Sequence, residues 1–244
     1  MTLDSVILDR SPLDWDAIDL VVFDVDGTLY QQARLRLVML RHLIADAFSA
    51  RSLETIKILR VFRQVRESLG DLQGADFMTQ QYQQTATRCH KSVDEVRDLT
   101  SDWLEQRPLP FLAACRYPHV QAVFSSLREH GKQIAVFSDY PAADKLSALG
   151  LQASPIVCAT DAQVGSLKPD PAGLRQVLTL CSVPPSRALM VGDRCDRDAA
   201  AAARVGMRAL IRSSRQHADF DTFQSYSDLV FAPLLRSAPM ATVT

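Results

Sequence analysis

The sequence predicts an α/β fold: a parallel sheet flanked by helices, into which one all-helical segment is inserted. Short apolar runs recur at 20–23, 134–137, 156–159 and 188–191, and a last one follows Arg208 at 209–211. Runs of this length without polar alternation suit strands buried on both faces, as in a parallel sheet. Stretches with helical spacing lie between the later runs, and strands alternating with helices imply right-handed crossovers. By contrast, residues 33–107 carry helical spacing throughout. The expected division is a discontinuous α/β core, residues 1–32 and 109–244, and a helical unit, residues 33–108.

In chain order, residues 1–18 read as an extension or edge element. The first run, Leu20-Val21-Val22-Phe23, stops abruptly at Asp24. In the insertion Leu37, Leu40, Ile44 and Phe48 recur at helical spacing, as do Leu53, Ile56, Leu59, Phe62, Val65 and Leu69. Gly70 and Gly74 punctuate a link, and a third helix is expected over 77–89. Ser92-x-x-Glu95 has the capping-box pattern that opens a fourth helix through Val96, Leu99 and Trp103. Pro108 and Pro110 close the segment. About four helices are long enough for a small core of their own.

A helix with Val120, Val123, Phe124 and Leu127 then leads through Gly131 to the second strand, and another helix leads to the third. Asp170 caps and Pro171 starts a helix that buries Leu174, Val177 and Leu178, feeding the fourth strand. An Ala-rich helix ended by Gly206 leads to the fifth. A last short strand is expected near 229–231, and the tail after Ser237 is expected to be disordered.

The bulk properties narrow the function classes. A formal net charge of −1 over 244 residues gives no reason to expect nucleic acid, whose binding needs a concentrated cationic face. Five cysteines with no C-x-x-C pair and no zinc spacing read as buried thiols in a reducing compartment. The N-terminus carries Asp4, Asp9, Asp14, Asp16 and Asp19 where a signal peptide would be apolar, and no stretch has the length of a membrane span. The expectation is a soluble, cytoplasmic protein with no membrane partner.

The chemistry lies in the polar residues at which the apolar runs end. The first run stops in Asp24-Val25-Asp26-Gly27-Thr28, the second in Ser138-Asp139, the fourth in Gly192-Asp193. The carboxyl ends of parallel strands share one edge, where ligands bind. Asp24, Ser138 and Asp193 therefore converge although they are distant in sequence, and Lys168, before Pro169, can reach the same edge. Clustered carboxylates repel and raise one another's pKa, and a divalent cation relieves this. Oxygen ligands suit Mg²⁺, and a lysine beside it suits phosphoryl oxygens.

These motifs, Asp24-Val-Asp26-Gly27-Thr28-Leu29, Ser138, Lys168-Pro169 and Gly192-Asp193-x-x-x-x-Asp198, resemble the four motifs of the haloacid dehalogenase superfamily. They occur in order over about residues 20–212. The resemblance implies a Rossmann-like core, a helical cap inserted after the first strand, and phosphatase chemistry with Mg²⁺ as cofactor. It makes Asp24 the nucleophile and Asp26 the general acid and base. Gly27 would permit the turn that presents both, with Thr28 beside it near the phosphate. Ser138 and Lys168 would hold the phosphoryl group. A carboxylate oxygen of Asp24, the backbone carbonyl of Asp26 and the side chain of Asp193 would hold the metal, with Asp198 ordering metal-bound waters or Lys168 from behind.

One departure from the pattern is Asp139, where Asn is frequent; a carboxylate pointing at a dianion is unfavourable, so it is expected to turn away, onto a backbone N–H. Dehalogenases of this superfamily lack an aspartate at the position of Asp26, because no leaving oxygen needs a proton. A phosphomutase, a phosphoacceptor switch and a non-catalytic binding member are the alternatives to a phosphatase. The substrate implied is a small soluble phosphate ester chosen by the cap, whose arginines (Arg34, Arg36, Arg41, Arg60, Arg63, Arg66) either recognise an anion or form a solvated surface. Oligomeric state is not legible in the sequence.

Overall fold

The computed structural model describes residues 13–70 and 77–236. The expectations for residues 1–12, for the link containing Gly74 and for the tail after Ser237 lie outside the described residues.

The chain enters through β1 (Leu20–Phe23) and goes straight into the helical insertion: α1 (Gln32–Ala50), α2 (Glu54–Gly70), α3 (Phe77–Cys89) and α4 (Val93–Thr100). It then alternates: α5 (Leu109–Cys115), α6 (Val120–Glu129), β2 (Gln133–Ser138), α7 (Ala143–Ala148), β3 (Ile156–Cys158), α8 (Ala172–Cys181), β4 (Ala188–Gly192), α9 (Ala200–Arg204) and β5 (Arg208–Arg212). β6 (Asp221–Phe223) and α10 (Ala232–Leu235) complete it. The sheet order is β3-β2-β1-β4-β5-β6, and each neighbouring pair is parallel. This is the Rossmann-like α/β core that the alternating pattern predicts.

β1 shows why the apolar runs are unbroken. Val21 and Phe23 point into a cluster with Phe124, Leu127 and Leu189, while Leu20 and Val22 point into another with Leu174, Val177 and Met190. Both faces are covered, so neither parity of residue can be polar. The insertion has its own cluster of Ile58, Phe62, Ala86, Cys89 and Val96. Ser92 caps α4 as the sequence predicts: Glu95 N–H donates to Ser92 Oγ at 3.1 Å, and Ser92 N–H donates to the Glu95 carboxylate at 2.8 Å.

Three expectations are corrected. On α1 the stripe Leu37, Leu40, Ile44 and Phe48 is exposed, and Leu35, Met39 and Leu43 turn inward instead. The helix carries two apolar stripes, and spacing alone cannot choose between them. Residues 229–231 are a short 3₁₀ turn leading into α10, not a strand: Phe231 is buried and Trp15 Nε1 donates to Val230 O at 2.6 Å. The last strand is β6, whose Asp-Thr-Phe sequence has no apolar run because it lies at the sheet edge. Finally, Pro108 does not end the helical region but precedes α5 directly.

Candidate active site

The carboxyl ends of β2, β1 and β4 lie side by side, with Phe23 in register with Val136 and Val191. Asp24 N–H continues the ladder, donating to Val191 O at 2.9 Å. The Asp24 carboxylate is buried and held at both oxygens: Lys168 Nζ donates to Oδ1 at 2.6 Å and Thr28 Oγ1 to Oδ2 at 2.9 Å. Lys168 also donates to Asp198 Oδ1 at 2.7 Å, and Asp198 Oδ2 accepts the N–H groups of Asp193 and Arg194 at 3.1 and 3.0 Å. Asp198 thus fixes both Lys168 and the turn after β4. Ser138 is fully buried at the end of β2, and its Oγ accepts the Tyr140 N–H at 3.2 Å. Tyr226, from the C-terminal segment, braces the first loop by donating to Thr28 O at 3.0 Å.

Two glycines make this closeness possible. Gly27 has φ +92°, and a Cβ there would fall 2.1 Å from Asp193 Oδ2. A Cβ on Gly192 would fall 2.4 Å from the Asp198 carboxylate. The first and last motifs therefore touch through a position with no room for a side chain.

Burial pushes Asp24 well above the usual carboxylate range, against the pull of Lys168 and with the repulsion of Asp198 and Asp193. Burial, aided by Asp198, lifts Asp193 to about 6. Lys168 is held charged: burial disfavours its ammonium, but Asp198, Asp24 and Asp139 outweigh that. Asp24, Asp193 and Asp198 each offer an oxygen within 4.8 Å of the others. Such an all-oxygen set, with negative charge in excess, fits a hard divalent cation. Asp198 accepts three hydrogen bonds on its two oxygens, whereas Asp24 accepts one on each, so Asp24 and Asp193 keep more lone-pair capacity for a cation.

Asp26 has partners that sequence reasoning missed. Lys145 Nζ, from α7, donates to its two oxygens at 2.7 and 2.8 Å, and Tyr30 OH donates to Oδ1. Burial opposes its charge, but Lys145 and Tyr30 prevail and hold Asp26 below the usual carboxylate range. A lysine in a short helix gives no signal of this role; only the fold brings it to Asp26. Asp139 lines the same cavity, and its carboxylate accepts a backbone N–H as expected, that of Lys168 at 3.0 Å.

The insertion reaches the site through α2. Arg66 is buried, unlike Arg34, Arg36, Arg41, Arg60 and Arg63, which are exposed. It donates to Asp139 O at 2.6 Å and to Gln81 Oε1 at 3.1 Å, and its guanidinium stacks 3.9 Å from the Tyr140 ring centre. Next to it, Glu67 meets Arg197 at 3.4 Å and Arg194 at 3.6 Å, while Arg197 donates to Lys168 O at 2.8 Å. Gln81 of α3 is itself buried and anchors Arg66. Between insertion and core lies a cavity of about 640 Å³ lined by Asp24, Asp26, Lys168 and Asp193.

A buried carboxylate held by lysine at the carboxyl edge of a parallel sheet, with further acids beside it, is a candidate catalytic site on an α/β core. The chain belongs to the haloacid dehalogenase-like hydrolases, whose family model matches residues 18–206. Among solved structures it is similar to a 2-haloacid dehalogenase from Pseudomonas syringae (23% identity, TM-score 0.60, 88% of this chain and 99% of that one). It is also similar to the putative HAD hydrolase YfnB from Bacillus subtilis, bound to magnesium (12% identity, TM-score 0.64, 89% and 98%). A HAD phosphatase from Thermococcus onnurineus is similar at 17% identity and TM-score 0.53, over 85% and 94%. No curated protein matches in sequence. No helix among the described residues is long and apolar enough to cross a membrane.

Proposed function

We propose that the chain is a Mg²⁺-dependent phosphatase of small phosphomonoesters, with the helical insertion acting as its cap. The observation that carries this reading is Asp26, whose carboxylate shares one cavity with Asp24, Lys168 and Asp193. Breaking a phosphate ester requires a proton for the leaving oxygen, whereas displacing a halide does not. A haloacid dehalogenase would have no use for Asp26.

In the first step an Asp24 oxygen attacks phosphorus, the P–O bond to the leaving group breaks, and Asp26 gives that oxygen its proton. In the second, water attacks the aspartyl phosphate, Asp26 takes its proton, and the P–O bond to Asp24 breaks to release inorganic phosphate. Lys145 and Tyr30 keep Asp26 ionised in the free protein; a dianionic ester arriving beside it raises its proton affinity. Lys168 and Ser138 steady the phosphoryl oxygens. The carboxylates of Asp24 and Asp193 and the carbonyl of Asp26 would hold Mg²⁺, which when bound neutralises phosphoryl charge.

The test is release of p-nitrophenol from p-nitrophenyl phosphate. Turnover is expected with Mg²⁺, lost with EDTA and restored by added Mg²⁺. Asp24→Asn should reduce kcat by roughly 10⁴-fold or more. Unchanged turnover in that variant sinks the nucleophile assignment, and chloride release from 2-chloropropionate without phosphatase activity would favour the dehalogenase reading.

A further inference from the structure

The cavity above Asp24 has two chemically different sides. The core supplies the carboxylates and lysines. The insertion supplies chiefly Met39, Leu40 and Leu43 from α1, Leu59 from α2, and Trp103 and Leu104 after α4. Among the described helical residues that line it, Gln32 at the start of α1 is the one Ser, Thr, Asn, Gln or His, and its Oε1 already accepts from Arg36 at 2.7 Å. Of the charged groups that the insertion brings to this wall, Arg36 is engaged with Gln32 and Glu67 with Arg194 and Arg197, which leaves the exposed Arg63. Leu40 stands 48% exposed at this wall, an apolar surface left open.

A leaving group that fills this space meets hydrocarbon. A polyol would lose water from hydroxyls that find few neutral partners, at a cost for each. An alkyl or aryl group would gain from removing its own surface and the wall's from water. We infer that the substrate is a phosphomonoester with an apolar body, an alkyl or aryl phosphate, in preference to a sugar phosphate. This rests on the phosphatase reading above.

The experiment uses the full chain with Mg²⁺ and a series of ethyl, butyl, hexyl and octyl phosphates below their aggregation limits. Glucose 6-phosphate serves as the polyol comparison and p-nitrophenyl phosphate as the control. The alkyl alcohols leave with nearly the same pKa, so the series varies burial and not chemistry. The expected kcat/KM rises about two- to fourfold per added methylene until the cavity is full. It should exceed that for glucose 6-phosphate from butyl phosphate onward. In the double variant Leu40→Gln, Leu43→Gln, the first position exposed and the second half-buried, the slope should flatten and the octyl-to-ethyl ratio fall. A kcat/KM indifferent to chain length, or highest for the sugar phosphate, overturns the inference and leaves the phosphatase intact. No turnover of any ester, the nitrophenyl control included, overturns the phosphatase reading and the inference together.

Discussion

At the scale of single residues, Asp26 offers the sharpest prediction. If it protonates the leaving oxygen, its loss must hurt most where that oxygen is most basic. Asp26→Asn should lower kcat on an alkyl phosphate by about 10²–10⁴-fold. The loss on p-nitrophenyl phosphate should be smaller, since nitrophenolate leaves without a proton; equal losses on both esters would argue against the acid role. Asp139 gives a second. Its carboxyl is raised by burial, against the pull of Lys168. A carboxyl raised in the folded state destabilises the fold as pH climbs from the unfolded value, about 3.9, through the folded one. Asparagine can still accept the Lys168 N–H, so Asp139→Asn should melt higher than wild type at pH 8, and the difference should shrink toward pH 4. A constant difference would mean that charge is not the cause. Most of the site was legible at this scale, because Asp24, Ser138, Lys168 and Asp193 each stand at the end of an apolar run or beside a telltale proline. Lys145 and Tyr30 were not, since nothing local distinguishes a lysine that meets Asp26 from one that meets water.

At the scale of elements, strands and capped helices could be read and choices between faces could not. β1, β2 and β4 are buried on both sides, so their sequence has one interpretation. β6 lies at the sheet edge, and its three residues carry no pattern. α1 has apolar residues on two stripes, and only its neighbours α2 and α5 decide that Leu35 is the buried one. The start of α4 was legible because its cap is chemical: Ser92 and Glu95 each satisfy the other's backbone N–H. Ser92→Ala leaves the Glu95 N–H without its acceptor and should cost about 1 kcal/mol, seen as a lower urea midpoint at unchanged slope. An unchanged midpoint would mean that the first turn of α4 is held by packing on α3 alone.

At the scale of the whole molecule, the question is how separate apolar cores behave as one. The insertion has its own cluster around Phe62 and Val96, distinct from the two clusters that sandwich the sheet. The polar bridge between them is adjacent on α2: Arg66 on the Asp139 carbonyl and Tyr140 ring, Glu67 on Arg194 and Arg197. Arg66 is the buried member, so truncating it strands the Asp139 carbonyl and the Gln81 amide oxygen without this donor. Each charge-assisted hydrogen bond of this kind is worth about 1.5–3 kcal/mol. Arg66→Ala should therefore weaken the insertion's hold on the core more than either core itself. The two tryptophans report the units separately, Trp15 packing in the sheet cluster and Trp103 in the insertion. With Trp15→Phe as background, Trp103 fluorescence and far-UV circular dichroism should trace one coincident urea transition when Arg66 is present. In Arg66→Ala the fluorescence transition should move to lower urea and separate from the sheet's. Coincident transitions in both proteins would show that apolar contact, and not this arginine, couples the insertion to the core.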